Sequence, residues 1–254
     1  MKPHERHAQE LQLLRHNGFV SVNEFSAKLR VSDMTIRRDL GELQEMGLLT
    51  RFHGGATLVS ERGDTEWPFM LREQEHLEQK KKIGQKAASF VQNSDVIIID
   101  GGSTTLQMAA HLTQDRLTVV TNCLPIMQAL SARRNVNLMS TGGMFYGDNQ
   151  CFIGPAAVST LKNINAHIAF MATTCLSLKK GMTNRKLDEA EVKRAMIEAA
   201  EKVILVMDSS KMNCHTLAIV SPLEAIQVLV TDAGLAAEDK AAIEARGVEV
   251  VIVE

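Results

Sequence analysis

The sequence predicts two folded parts: a winged helix-turn-helix at the N-terminal end, and an α/β domain built on a parallel sheet flanked by helices. Three observations carry that expectation. Residues Val31–Leu40 read as a capped amphipathic helix with two arginines on its outer side. A hairpin signal follows directly. From residue 80 onward, short β-branched runs alternate with helical stretches, and most of those runs end in Asp, Ser, Thr, Asn or Gly.

A chain of 254 residues, 45% of them hydrophobic, can bury a full core and is long enough for two domains. The formal charge of −2 excludes global attraction to nucleic acid, so any DNA contact must be a local basic patch. No run is long enough to span a membrane, and Met1–Arg6 lacks the apolar core of a signal peptide; the expected location is the cytoplasm, with no membrane partner. Cys123, Cys151, Cys175 and Cys214 are widely spaced without a C-x-x-C pair, which supports neither a disulfide framework nor a zinc site. The eight histidines do not cluster along the chain, and His111, His167 and His215 each read as structural or exposed. No metal or cofactor is expected.

The first helix spans Arg6 to His16, with Leu11 and Leu14 inward, and stops at Asn17-Gly18. Phe19-Val20 is long enough for a very short strand. Ser21-Val22-Asn23-Glu24 fits a capping box opening a second helix through Phe25, Ala27 and Leu29. After the turn Arg30-Val31-Ser32, a third helix begins. Ile36, Leu40 and Leu43 make its buried stripe, which leaves Met34, Arg37, Arg38 and Gly41 on the far side and Thr35 on the flank. Ser32 stands at the N-cap. Alone, an Arg-Arg pair is most simply a solvated face. At a helix N-terminus it also suits a major groove, where guanidinium groups bridge guanine acceptors or clamp phosphate. Leu48–Phe52 and Ala56–Val59, around His53-Gly54-Gly55, make the hairpin. In that order the elements form a winged helix-turn-helix, with Arg51 and His53 placed to touch phosphate.

Residues 59–79 read as a linker, polar apart from Trp67-Pro68-Phe69 and turning helical near Leu71; its aromatic cluster could dock one domain on the other. The second domain, residues 80–254, opens with a helix over Lys82–Val91. The run Val96–Ile99 marks a strand buried on both faces. It ends at Asp100-Gly101-Gly102-Ser103-Thr104-Thr105, before a helix over Leu106–Leu112. A strand, a glycine-rich turn and a helix start together present outward amides and hydroxyls to an anion. The spacing is neither that of a P-loop nor G-x-G-x-x-G, and an ordinary βα turn would look similar. Further strands are expected at Leu117–Val120 (then a helix over Pro125–Leu130), Val136–Met139, Ile168–Met171, Val203–Met207, Val228–Val230 and Val248–Val253. Ligands in such sheets bind beyond the carboxyl ends of the strands, and the Asp, Ser, Thr, Asn, Gly and Lys found there suit a phosphorylated polyol.

The pattern Val31-Ser32-x-Met34-Thr35-Ile36-Arg37-Arg38-Asp39-Leu40, followed by Gly47-x-Leu49-x-Arg51-x-His53-Gly54-Gly55-Ala56, resembles the DeoR family of bacterial transcriptional regulators. Asp100-Gly-Gly-Ser-Thr-Thr105, Thr118–Asn122, Gly142-Gly143, Gly181-Met-Thr183 and Asp208-Ser-Ser-Lys211 resemble that family's effector domain, which is similar in fold to ribose-5-phosphate isomerase. The resemblance implies a reader helix using Thr35, Arg37 and Arg38 and a wing at His53-Gly54-Gly55; Ser32, Met34 and Arg51 join these DNA-binding candidates from the reading of the residues themselves. In the effector domain it implies Gly102, Ser103, Thr104 and Thr105 on a phosphate, Lys211 opposite, and Asp100, Asn122 and Gly143 on the sugar side. Where the family has Gly-x-x-Gly, this chain has Ala172-Thr173-Thr174-Cys175, and Ser177 replaces a common Asp; side chains added there reshape the sugar end.

The expected function is therefore a regulator that binds double-stranded operator DNA as a homodimer or homotetramer. It would act as a repressor of carbohydrate catabolic genes, controlled by a phosphorylated sugar, and not as an enzyme. The alternative is a sugar-phosphate isomerase- or deaminase-like enzyme carrying a DNA-binding module, with Lys211, Asp100 and Glu189 or Glu191 as acid–base groups. Repression and activation depend on operator position, which no protein sequence encodes.

Overall fold

Local signals at the N-terminal end become helices with ordinary caps. α1 (Pro3–Asn17) starts three residues before the expected Arg6, because Pro3 fits a first helical turn, where its missing N–H is no loss. Gly18, at φ +74°, ends it. β1 (Phe19–Ser21) leads directly into α2 (Val22–Leu29). There Ser21 Oγ accepts from the Glu24 amide at 3.3 Å, while the Glu24 carboxylate accepts from the Ser21 amide at 2.8 Å. α3 (Asp33–Glu45) buries Ile36, Asp39, Leu40 and Leu43. β2 (Leu49–Phe52) pairs antiparallel with β3 (Gly55–Leu58), Leu49 opposite Leu58 and Phe52 opposite Gly55. β1 joins the other side of β3, giving a three-stranded sheet.

The computed structural model describes residues 1–52, 54–59 and 67–254. It divides into two units, Met1–Glu75 and His76–Glu254. Trp67 and Leu71, inside the stretch read as a linker, share the first unit's core with Leu11, Leu14, Phe25, Ile36 and Leu43. α4 (Phe69–Gln74) completes that unit. The Arg15 guanidinium lies 4.3 Å from the centre of the Trp67 ring, and it also pairs with Glu75.

The second unit begins with α5 (Leu77–Ala88), which starts five residues before the expected Lys82. All seven expected strands form and lie in one parallel sheet: β4 (Val96–Ile99), β5 (Leu117–Thr121), β6 (Val136–Ser140), β9 (Ala166–Met171), β12 (Ala200–Val206), β14 (Val228–Asp232) and β15 (Glu249–Val253). The intervening helices are α6 (Ser103–Ala110), α7 (Leu124–Leu130), α8 (Pro155–Leu161), α9 (Leu187–Glu198) and α10 (Ala237–Glu244). The strand order is β15-β14-β12-β9-β4-β5-β6. From β4 the chain moves outward through β5 and β6, then returns to the other side of β4 with β9 and continues away. The β4–β9 boundary is thus the point where the winding direction reverses, and in such sheets ligands bind there, beyond the carboxyl ends.

The helices α8, α9 and α10 and two groups of short strands lie outside the sequence expectation. A hairpin of β7 (Met144–Tyr146) and β8 (Cys151–Ile153) follows β6, and β10 (Cys175–Ser177), β11 (Gly181–Asn184) and β13 (Ala218–Ser221) form a small antiparallel sheet. Their strands have three or four residues, too few for alternation to be read. Among the described residues no helix is long and apolar enough to cross a membrane.

Candidate functional site

The reader helix is fixed from beneath and bare above. Ser32 Oγ accepts from the Thr35 amide at 3.2 Å and lies 3.0 Å from Thr35 Oγ1, which closes the first turn. Met34 is 81% exposed, a large apolar side chain held in water with no core to enter. Arg37 and Arg38 are exposed beside it. Arg38 Nε stands 3.8 Å from Glu42 Oε1 and 4.0 Å from Asp39 Oδ1, so its charge is partly engaged. Arg51 of β2 donates its amide to Gln44 Oε1 at 3.1 Å. Its guanidinium reaches back over α3, so that a Cβ on Gly41 would sit 3.4 Å from Nη1. Residues 34, 37, 38, 41 and 51 therefore share one outward side of the first unit. Gly54 turns the wing at φ +85°, a conformation that other residues adopt at a cost. His53 lies outside the described residues.

The buried side of α3 carries charge as well. Asp39 has no exposed surface and is bonded twice by Arg6 of α1, with Nη2 donating to Oδ1 at 3.0 Å and Nε to Oδ2. Glu10 is likewise fully buried, and burial, reinforced by the Asp39 charge, pushes its carboxyl up to about 9.

In the second unit the site grows from the end of β4. Asp100, 1% exposed, accepts from the Ala172 amide at 2.9 Å, which stitches β4 to β9 across the reversal point. Its other partner is Lys193 of α9, a residue the sequence reading did not single out. Lys193 donates to Asp100 Oδ2 and, at 3.0 Å, to the Ala172 carbonyl. Burial alone would lower the Lys193 ammonium, but the Asp100 charge and hydrogen bond outweigh it and raise it, with Glu189 adding to them. Glu189 in turn accepts from Asn149 and Asn184, and Asn184 accepts from Thr174. A polar layer, Asp100–Lys193–Glu189–Asn184–Thr174, thus lies at the carboxyl edge, buried except at half-buried Thr174 and linked by charge between Lys193 and Glu189. Only the E-x-x-x-K spacing of Glu189 and Lys193, one helical turn apart, hinted at it.

The Asp100–Thr105 turn is shaped by close approach. A Cβ on Gly101 would lie 2.1 Å from Cys151 Sγ, and one on Gly102 would lie 2.5 Å from the Ala172 methyl. Glycine is required at both. Gly101 donates its amide to Asn122 Oδ1 at 3.1 Å, and Asn122 Nδ2 donates to the Phe152 carbonyl at 3.2 Å, so Asn122 ties the turn to the hairpin. Thr105 Oγ1 lies 2.7 Å from the Asp100 carbonyl and 2.9 Å from that of Gly102. Its one hydrogen is spent inward, and Thr105 braces the turn. Gly102 as N-cap gives α6 no side-chain acceptor, which leaves the first-turn amides beside Ser103 and Thr104. Gly143, at φ +119°, lets β8 approach, for a Cβ there would meet the Ile153 carbonyl at 2.5 Å.

Lys211 falls in a short 3₁₀ turn after β12, two strands from β4. Its charge acts on Asp208. Burial would raise that carboxyl, but Lys211, the Ser210 hydroxyl, Lys80 and His76 hold it below the usual range. The cation joined to Asp100 is Lys193. Lys211 acts on Asp208, whereas Asp100 and Glu189 both act on Lys193, so the three do not share one set of partners. The cysteines also differ from the sequence reading: Cys175 and Cys214, 39 residues apart, are joined in a disulfide that ties the Lys211 segment to β10. Strand pairing brings them together, and their spacing carried no such information. Cys123 and Cys151 are buried thiols outside the disulfide, facing each other across a β-bridge, and their mutual hydrogen bond and burial push the Cys151 thiol up.

Two family models match, the DeoR-like helix-turn-helix domain over residues 6–62 and the DeoR C terminal sensor domain over residues 75–233. The chain belongs to the DeoR family. Among its relatives, the HTH-type transcriptional regulator GlpR of Haloferax volcanii is 34% identical over 99% of this chain and 98% of its own. The HTH-type transcriptional regulator IolR of Bacillus subtilis is 34% identical, over 88% of this chain and 89% of its own. The transcriptional repressor AccR of Agrobacterium fabrum is 32% identical over 91% and 90%. Ribose 5-phosphate isomerase A from Methanocaldococcus jannaschii is a partial structural likeness, 13% identical over 54% of this chain and 55% of its own, with a TM-score of 0.40. Family membership places this chain among DNA-binding transcriptional regulators, not among enzymes.

Proposed function

We propose that this DeoR-family regulator is a cytoplasmic repressor of carbohydrate catabolic genes whose operator affinity is set by a phosphorylated sugar. The carrying observation is the β4–β9 reversal point, where the uncapped start of α6 stands beside the buried Asp100–Lys193 pair. Amides and hydroxyls suit the phosphate; a carboxylate and an ammonium, both already oriented, suit sugar hydroxyls. Ser103 and Thr104 serve as phosphate donors in this reading. Asn122 and Gly143 shape the sugar side, and Lys211, carried on the disulfide-tethered segment, is the outer positive partner. The Ala172 methyl lies against Gly102, and the side chains of Ala172 to Cys175 reshape the sugar end.

On the DNA side, Arg37 and Arg38 read bases, while Arg51 and the His53-Gly54 wing hold phosphate. A homodimer or homotetramer presents two such helices to two-fold operators with half-sites about one helical turn, or a multiple of it, apart. The ligand shifts the population between states of differing operator affinity. A thermal-shift screen of sugar phosphates, each beside its unphosphorylated sugar, tests the sensor half. A ligand at a hundredfold its dissociation constant adds about 2.7 kcal/mol of stability. A rise with one phosphate ester, absent with its free sugar and reduced in Ser103→Ala, is the expected result. Stabilisation by the free sugar alone, or by none of them, refutes the sensor assignment and leaves the DNA reader standing.

A further inference from the structure

α1 and α3 bring His7, Asp39 and Glu42 together beneath the reader face. His7 is 4% exposed, and its Nε2 has no hydrogen-bond partner among the described residues. It points at two carboxylates, 3.4 Å from Asp39 Oδ1 and 3.5 Å from Glu42 Oε2. Those separations exceed the roughly 2.9–3.0 Å of an ordinary N–H···O bond. They match instead the spacing of two ligands on one tetrahedral ion. With zinc–ligand distances of about 2.0–2.2 Å, the edge of the tetrahedron is about 3.4 Å. The three ligand atoms all lie within 4.8 Å of one another. Arg6 bonds both oxygens of the same Asp39, Nη2 reaching Oδ1 at 3.0 Å, and so holds the carboxylate in position as an outer partner of a metal ligand does.

We propose that His7, Asp39 and Glu42 bind one divalent transition-metal ion, with zinc the best fit to one imidazole and two carboxylate donors. The site joins the first helix to the reader helix. It also bears on Arg38, because the carboxylates that would take the metal are the two that now draw on that guanidinium, at 3.8 and 4.0 Å. A dication between them cancels that attraction and releases Arg38 toward phosphate or base. Metal binding therefore tightens DNA binding and steepens its salt dependence. The histidine and the carboxylates come from different helices, so sequence spacing hides the set.

The test uses the full chain stripped with a chelator and titrated with zinc by calorimetry. One equivalent per chain is expected, with affinity at least about tenfold weaker in His7→Gln and in Glu42→Gln. Circular dichroism and Trp67 fluorescence report whether each variant is folded. Glu42 is half-exposed, so its variant decides the matter if His7→Gln does not fold. No saturable zinc binding by the parent chain, or unchanged affinity in the folded variants, overturns the site. Binding to a short mixed-sequence DNA duplex, with and without zinc, tests the coupling. A zinc-dependent gain lost in Glu42→Gln supports it, and an affinity indifferent to zinc overturns that part.

Discussion

Lys193→Met is the substitution whose consequence the structure fixes most closely. Methionine fills nearly the same volume as the lysine stem but removes the ammonium that bonds Asp100 and the Ala172 carbonyl. Asp100, 1% exposed, would keep only the Ala172 amide and lose its counter-charge. Removing one partner of a buried pair costs about 3–5 kcal/mol, because the other charge is left without compensation. For a unit of this size that lowers Tm by roughly 6–20 °C. The pair Asp100→Asn with Lys193→Met, which leaves no orphan charge, should recover more than half of the loss. The sign with pH follows from the raised Lys193 value: its contribution is complete below the ordinary lysine range and fades only as pH rises through the higher folded value. The difference between parent and Lys193→Met should therefore be flat from about pH 6 to 9. The only tryptophan lies in the other unit's core, so fluorescence monitors Met1–Glu75, while circular dichroism follows both units. Urea unfolding should show the loss by circular dichroism with the Trp67 midpoint unmoved. A loss below about 1 kcal/mol, or a double variant no better than the single one, would refute the reasoning.

Three further outcomes are expected. Arg37→Ala should cost about 1–3 kcal/mol on the cognate operator and little on unrelated duplexes, while Arg51→Ala should weaken both and reduce the salt slope by about 1; equal effects of the two on both DNAs would remove the division between base and phosphate readers. Gly101→Ala should destabilise the second unit by about 1–3 kcal/mol, since its methyl would lie 2.1 Å from Cys151 Sγ, and adding Cys151→Ala should relieve most of that in thermal unfolding; absence of rescue means the clash is elsewhere. Glu10 keeps its proton in the folded state up to about pH 9 but loses it near its ordinary value when unfolded, so the first unit should lose stability as pH rises between them; Glu10→Gln, followed by Trp67 fluorescence in chelator, should flatten that slope, and an unchanged slope would assign it to another group.

Much of what depends on neighbours a few residues away was legible in the sequence. The buried stripe Ile36–Leu40–Leu43, the Ser32 cap and the β-branched run Val96–Ile99 follow from periodicity and propensity, and like patterns point to the helices up to α7, all seven sheet strands and the Asp100–Thr105 turn, but not to α8, α9 or α10. Family membership was legible on the same residues. Strand order was not, because nothing local to Ile99 or Phe170 says that β4 and β9 lie side by side. That adjacency makes the reversal point. Packing alone makes Lys193 the cation on Asp100, because α9 lies against β9 and brings its buried ammonium to Asp100 and the Ala172 carbonyl. It also decided that Trp67 belongs to the first unit's core and that Cys175 meets Cys214. Under the reader helix it set His7 against Asp39 and Glu42. Each of these contacts joins residues far apart in the chain, where close packing and the need to pair buried charge act, and a linear pattern records neither.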